Sequence, residues 1–93
     1  MIVEIVSPEA TLFHGEVTSV AVPGINGEFQ MLNNHAAIVS LLVQGNIKLV
    51  GANITIAKEF ASKFNQVDAQ TFWLPINSGT LELNDNKVII LAD

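Results

Sequence analysis

Hydrophobic and polar positions alternate along most of the chain, and the period is two. Val3 and Ile5 fall on one side, Ile2, Glu4 and Val6 on the other, which is the pattern of a strand buried on one face or both. Ser7-Pro8-Glu9 interrupts it. Proline has no N–H to give to a ladder, so Pro8 belongs at a strand end or an edge. Thr11-Leu12-Phe13 forms a short apolar patch closed by His14-Gly15. Over 16–22 the alternation returns, with Val17, Ser19 and Ala21 on one face and Thr18, Val20 and Val22 on the other. β-branched residues dominate there, as a pleated surface prefers. Pro23-Gly24-Ile25-Asn26-Gly27 is the strongest loop signal: proline fixes φ and glycine permits φ > 0. Residues 28–32 resume as a strand, and Asn33-Asn34-His35 is a second polar turn.

The second half follows the same rule with one exception. Periodicity alone allows 36–43 to be a strand or a helical turn; its β-branched residues and the following Gln44-Gly45-Asn46 turn favour a strand. Ile47 and Leu49, then Ile54 and Ile56, continue the alternation. In 57–68 the apolar residues Ala57, Phe60, Ala61, Phe64 and Val67 instead recur at helical spacing, with Lys58, Glu59 and Lys63 opposite. This predicts a short amphipathic helix, which persists only if packed on the sheet, or else a widened hairpin loop. Residues 72–76 read as an apolar strand in which Pro75 marks an edge or bulge. After Ser78-Gly79, Leu81 and Leu83 lead into an Asn84-Asp85-Asn86 turn, and Val88 and Ile90 return. That is a β-hairpin whose turn residues tolerate left-handed geometry. The expected fold is mainly all-β: a small β-sandwich or flattened barrel of about ten short strands, with a short helix or extended loop in 57–68.

Composition bounds the function classes. The 93 residues make one domain, 1–93. A chain this short buries only about 60–65% of its unfolded surface, so its core is thin. It contains no cysteine, so no disulfide supports that core and no thiolate serves as nucleophile or metal ligand. Hydrophobic residues make up 49% and charged residues 14%, which implies apolar surface for a partner to cover. The net charge of −5, with four scattered basic residues, disfavours nucleic acid and anionic lipid as partners. The longest apolar stretch, residues 36–43, is far short of the ~20 residues that span a bilayer, so direct bilayer insertion is not expected.

No constellation for chemistry emerges. His14 and His35 lie in separate turns, and with Glu28 they match no metal-ligand spacing. Glu9, Glu16, Glu28 and Asp85 sit at or near turns, where solvated carboxylates are the rule. No serine lies in a G-x-S-x-G elbow, and the glycines form no phosphate-cradling motif. Phe72 and Trp73, with Phe60 and Phe64, are expected to serve the core more than a ligand pocket. Neither a catalytic residue, a metal nor a cofactor is expected.

Three stretches occur in an order that resembles a known family: VSPEATLFHGEV (6–17), VPGINGEFQMLNNHAAIVSLLVQGNIKLV (22–50) and SGTLELNDNKVIILAD (78–93). They resemble the N-terminal β-sandwich domain of the epsilon subunit of rotary F-type ATP synthases, called delta in mitochondria. The likeness includes a Phe-x-Gly-x-Val segment, a Gly-Glu-apolar turn with a later His-Ala, and a Leu-Ala-Asp ending. The sequence departs from the pattern at Asn33-Asn34, where the family usually has Pro-Gly, and at Ser78-Gly79-Thr80, where it has Ser-Gly-Gly. Residues 51–72 exceed the usual connection, and residues 1–93 are not expected to include the family's C-terminal helical hairpin.

The resemblance implies a non-catalytic central-stalk subunit that couples the gamma shaft to the membrane c-ring during proton-driven ATP synthesis. It would sit peripherally on the cytoplasmic face of the inner membrane, as part of the complex. The family's ring-facing loop maps onto Gly27, Glu28 and Phe29, with His35 in the neighbouring turn, and its shaft contact onto Ser7. Two other readings compete: a free-standing ligand-binding β domain with Trp73 as stacking platform, and a small hydrolase or metalloenzyme.

Overall fold

The computed structural model describes residues 1–93. Ten strands form: β1 (Ile2–Val6), β2 (Thr11–Glu16), β3 (Ser19–Gly24), β4 (Gly27–Leu32), β5 (Ile38–Leu42), β6 (Gly45–Val50), β7 (Asn65–Asp68), β8 (Thr71–Ile76), β9 (Gly79–Asn84) and β10 (Lys87–Ala92). They join into one curled sheet in the order β2-β1-β10-β9-β5-β3-β6-β8-β7, with β4 also paired to β3. The sheet folds on itself as a sandwich. One half is β2-β1-β10-β9-β5, the other β4-β3-β6-β8-β7, and the strand pairing that joins them is Gly24↔Leu42. All pairs are antiparallel except β1 with β10. The all-β expectation and the count of ten strands are met.

The period-two residues make the core. Val3, Ile5, Leu81, Leu83, Val88 and Ile90 from the first half meet Val20, Val22, Met31, Ile47, Leu49 and Leu74 from the second. Each fully buried aliphatic side chain contributes about 1.5–3 kcal/mol of transfer free energy. Buried side-chain polar atoms without a partner are absent.

Corners of the sandwich are single-residue steps. Over 16–22 the alternation reads as one strand, yet the chain changes sheet halves inside it. The Val17 N–H donates to the Met1 carbonyl (2.9 Å) in the first half, and the next N–H, of Thr18, donates to Val50 (2.7 Å) in the second. Both Val17 and Ser19 are buried, one on each side of that step.

Elsewhere local signals misled. β2 runs through His14-Gly15 instead of closing there, so His14 is a strand residue, exposed and in register with Glu4. Ile54 and Ile56 do not form a strand; they lie in a loop and pack against the core from outside. The helical spacing over 57–68 yields only a short 3-10 helix, Lys58–Lys63, with no side-chain cap. The chain then straightens into β7, because a strand there completes a hairpin with β8. Phe60 and Phe64 reach the core as the spacing required, whereas Val67 stays exposed.

The closing hairpin forms as expected. Asp85 and Asn86 both take left-handed backbone (φ 50° and 60°), the geometry that matches strand twist in a two-residue hairpin. Pro75 lies on β8 beyond the stretch paired with β7, where no ladder hydrogen bond is lost.

Candidate partner interface

The sequence-predicted residues lie on two different surfaces. Gly27, Glu28 and Phe29 are not in a loop; they begin β4, paired with Gly24, Pro23 and Val22. The loop before them is only Ile25-Asn26. Gly27 adopts φ 115°, which side-chain-bearing residues rarely accept, and this lets the chain reverse within two residues. β4 has no second neighbour in the sheet, so it is an edge. Its outward residues Glu28, Gln30 and Leu32 are exposed, and Phe29 turns inward against the core.

His35 lies past the far end of this edge strand, in the turn that follows it. Its backbone N–H donates to Leu32 (3.2 Å). Its Nδ1 lies 2.7 Å from the Ala36 carbonyl, which can only accept, so Nδ1 is the donor in that hydrogen bond. The rise of an extended strand places Gly27 about 17 Å from Leu32. The structure therefore does not gather Gly27, Glu28 and His35 at one point. It places Gly27 and Glu28 at one end of β4 and His35 beyond the other, a rail and not a cluster.

Glu28 is engaged within the chain. Its Oε1 lies 3.0 Å from Lys48 Nζ on β6, and the same ammonium sits 4.4 Å from the centroid of the Trp73 ring on β8. The sequence expectation that Trp73 serves the core is not met: its ring is partly exposed and faces a lysine.

Ser7 opens the β1–β2 turn and is half-buried. Its N–H donates to Ala10 (2.8 Å) and its Oγ to the same carbonyl (3.2 Å), which ties off the turn at Pro8. Around it lies an open groove of about 630 Å³ lined by Pro8, Ile25, Leu41, Val43, Leu91 and others. The groove continues onto the outer face of the first sheet half. Strand register there aligns Leu41, Thr80, Leu91 and Val6 in one row, and Val39, Glu82, Ile89 and Glu4 in the next. Val39 is 77% exposed, Ile25 61%, Leu41 58% and Leu91 54%. Large apolar side chains this exposed and this clustered, though interrupted by Thr80, Glu82 and Glu4, mark a surface that a partner can cover.

Composition pointed to apolar surface for a partner, but sequence reasoning did not place it on this face, and it missed Lys48. A signal for the first existed: IVSLL in β5 and VIILA in β10 are apolar almost throughout, the composition of strands covered on both sides. Lys48 gave none, because its partners Glu28 and Trp73 are distant in sequence and meet it only through strand register.

No three histidine, cysteine or acidic side chains converge to hold a metal, and no helix is long and apolar enough to cross a membrane. A curled, almost wholly antiparallel sheet with exposed apolar side chains on one half and a polar edge strand on the other defines a small β-sandwich domain. The chain belongs to the family described as the beta-sandwich domain of the ATP synthase Delta/Epsilon chain, which matches residues 1–61. It is 39% identical over 90 residues to the ATP synthase epsilon chain of Campylobacter concisus (strain 13826), spanning 97% of this chain and 58% of that relative. It is 31% identical over 90 residues to that of Chlorobium limicola, across 97% of this chain and 85% of the other. The chain thus spans little more than half the length of the Campylobacter protein. A chain in the central stalk and c-ring structure of Tetrahymena thermophila mitochondrial ATP synthase shares the fold: TM-score 0.72, 14% identity, covering 99% of this chain and 62% of that one.

Proposed function

We propose that this domain is a non-catalytic central-stalk component of a rotary ATP synthase, coupling a gamma shaft to a membrane c-ring. It would work peripherally at the cytoplasmic face of the inner membrane, within the complex. One observation supports the reading: a single curled sheet presents two unlike exposed surfaces, an apolar one on the first half and a polar edge strand on the second. The apolar face around Ser7, Leu41 and Leu91 suits a steady contact, since burying it against a shaft stabilises the joint without chemistry. The rail of Gly27, Glu28 and His35 suits polar loops, where a carboxylate accepts charge-assisted hydrogen bonds. Torque needs a stiff coupler, and ladders linking residues far apart in sequence, such as Val3 with Val88, supply that stiffness.

The test is the reversal Glu28→Lys, followed by co-purification with gamma and the ring. Ring association is expected to fall at least about tenfold while gamma association and the thermal midpoint hold, because exposed ion pairs contribute only about 0–1 kcal/mol. Unchanged assembly overturns the Glu28 assignment. A domain that binds neither gamma nor the ring overturns the whole reading.

A further inference from the structure

The ion pair between Glu28 and Lys48 crosses an intervening strand. Lys48 is in register with Ala21 on β3 and Trp73 on β8, and Glu28 is in register with Pro23, two residues along β3 from Ala21. β4 and β6 flank β3, so their axes stand about 9.5 Å apart. The lysine stem can span that distance because Ala21 puts only a methyl group in its path. The ammonium ends between a carboxylate at 3.0 Å and an indole ring at 4.4 Å. Glu28 is the more open partner, its side chain 51% exposed against 28% for Lys48. It is the only ion pair in the structure.

We propose that Lys48 is a latch on the Glu28 carboxylate and sets the specificity of the β4 rail. While the rail is empty, Lys48 neutralises Glu28. A partner group gains Glu28 only if it is a cation or a strong N–H donor able to displace the ammonium. Freed from the carboxylate, the ammonium keeps only the Trp73 ring as its partner and re-seats over it by cation–π attraction, so it does not follow the carboxylate into the interface and the indole environment changes with the latch. Surfaces that offer neither a cation nor such a donor fail to open the latch. This rests on the reading of Glu28 as a ring-docking group and adds the residue that governs access to it.

The test has two arms on the full chain, with unchanged melting required of each variant. In the first, Trp73, the only tryptophan, reports the latch without any partner. Emission of the wild type should change as salt screens the ion pair. Glu28→Gln should shift the intensity measurably and abolish that salt response. Identical emission and salt response in wild type and Glu28→Gln overturns the latch.

In the second arm, affinity is measured for the purified c-ring of the cognate synthase. Lys48→Met should raise it about 3- to 10-fold, equivalent to about 0.7–1.4 kcal/mol. Lys58→Met removes the same charge from the exposed 3-10 helix and should change nothing. In a Glu28→Gln background, Lys48→Met should confer no gain. Unchanged or weaker binding by Lys48→Met, or an equal gain from Lys58→Met, overturns the latch while leaving the docking reading intact. If Glu28→Gln alone does not weaken ring binding, the docking reading fails and the latch's role in specificity falls with it.

Discussion

The carbonyl oxygen of Leu91 lies so close to Gly79 that a Cβ placed there would stand 2.5 Å from it. Gly79 begins β9, in register with Ala92 on one side and Leu42 on the other, beside the groove that holds Ser7. Backbone, not a flexible side chain, blocks the space. Gly79→Ala must therefore part β9 from β10, and it should lower stability by about 2 kcal/mol. For a domain this size that is a fall of roughly 10 °C in the melting midpoint, read by circular dichroism. A variant that melts as the wild type does would show that the two strands yield easily.

The hairpin at the opposite end depends on Asn86 twice. Its φ of 60° favours Asn or Gly, and its Oδ1 accepts the Asn34 N–H at 2.8 Å, tying the β9–β10 turn to the turn before His35. Asn86→Ala loses both and should destabilise by about 1–2 kcal/mol. Asn86→Gly keeps the turn and loses only the tie. Hydrogen exchange separates them: the Asn34 amide should lose protection in both variants, the β9–β10 ladder only in the alanine variant.

Much of this architecture could be read from sequence where one residue type had one job. Alternation placed Val3, Ile5, Leu81, Leu83, Val88 and Ile90 in the core, and Asp85-Asn86 marked its turn. The misses share a cause. Helical spacing over 57–68 was a true statement about Phe60 and Phe64 but could not weigh the gain from pairing β7 with β8. Ile54 and Ile56 alternate because a loop that packs on a core through every second residue looks like a strand. Glu28 was legible as a turn-proximal carboxylate; its bond to Lys48 was not, since register between β3, β4 and β6 is a property of the assembled sheet.

Acid should act locally on the β7–β8 hairpin. Asp68 is held below the usual aspartate range, first by the Gln70 backbone N–H, then by the Thr71 side chain. The Gln70 N–H donates to Asp68 Oδ1 at 2.8 Å. A folded value below the unfolded one means the contribution is present above about pH 4 and is lost as pH falls through the folded value. Exchange of the Gln70 amide, corrected for intrinsic rates, should accelerate on acidification from about pH 5 to about pH 2. Asp68→Asn keeps the acceptor and should remove that pH dependence. Equal pH profiles in the two proteins would refute the assignment.

Stability and docking should separate on the two faces of β5 and β10. Leu42 and Ile90 face inward, buried at 4% and 0%; Leu41 and Leu91, their neighbours in sequence, face outward at 58% and 54% exposed. Truncating Ile90 to alanine removes buried methylenes and should cost about 2–5 kcal/mol. The pair Leu41→Ser with Leu91→Ser removes mainly exposed surface, and the folded domain should lose no more than about 1 kcal/mol across both sites. If the apolar face is the shaft contact, the same pair should weaken gamma binding at least about tenfold, because the two side chains flank Thr80 in one row and would be buried together. Ring binding should fall far less, since Leu41 borders the β4 rail only at its Gly27 end and Leu91 lies away from it. A serine pair that melts normally yet binds gamma as wild type does would move the shaft contact elsewhere on the sandwich; a pair that lost ring binding instead would exchange the roles of the two faces.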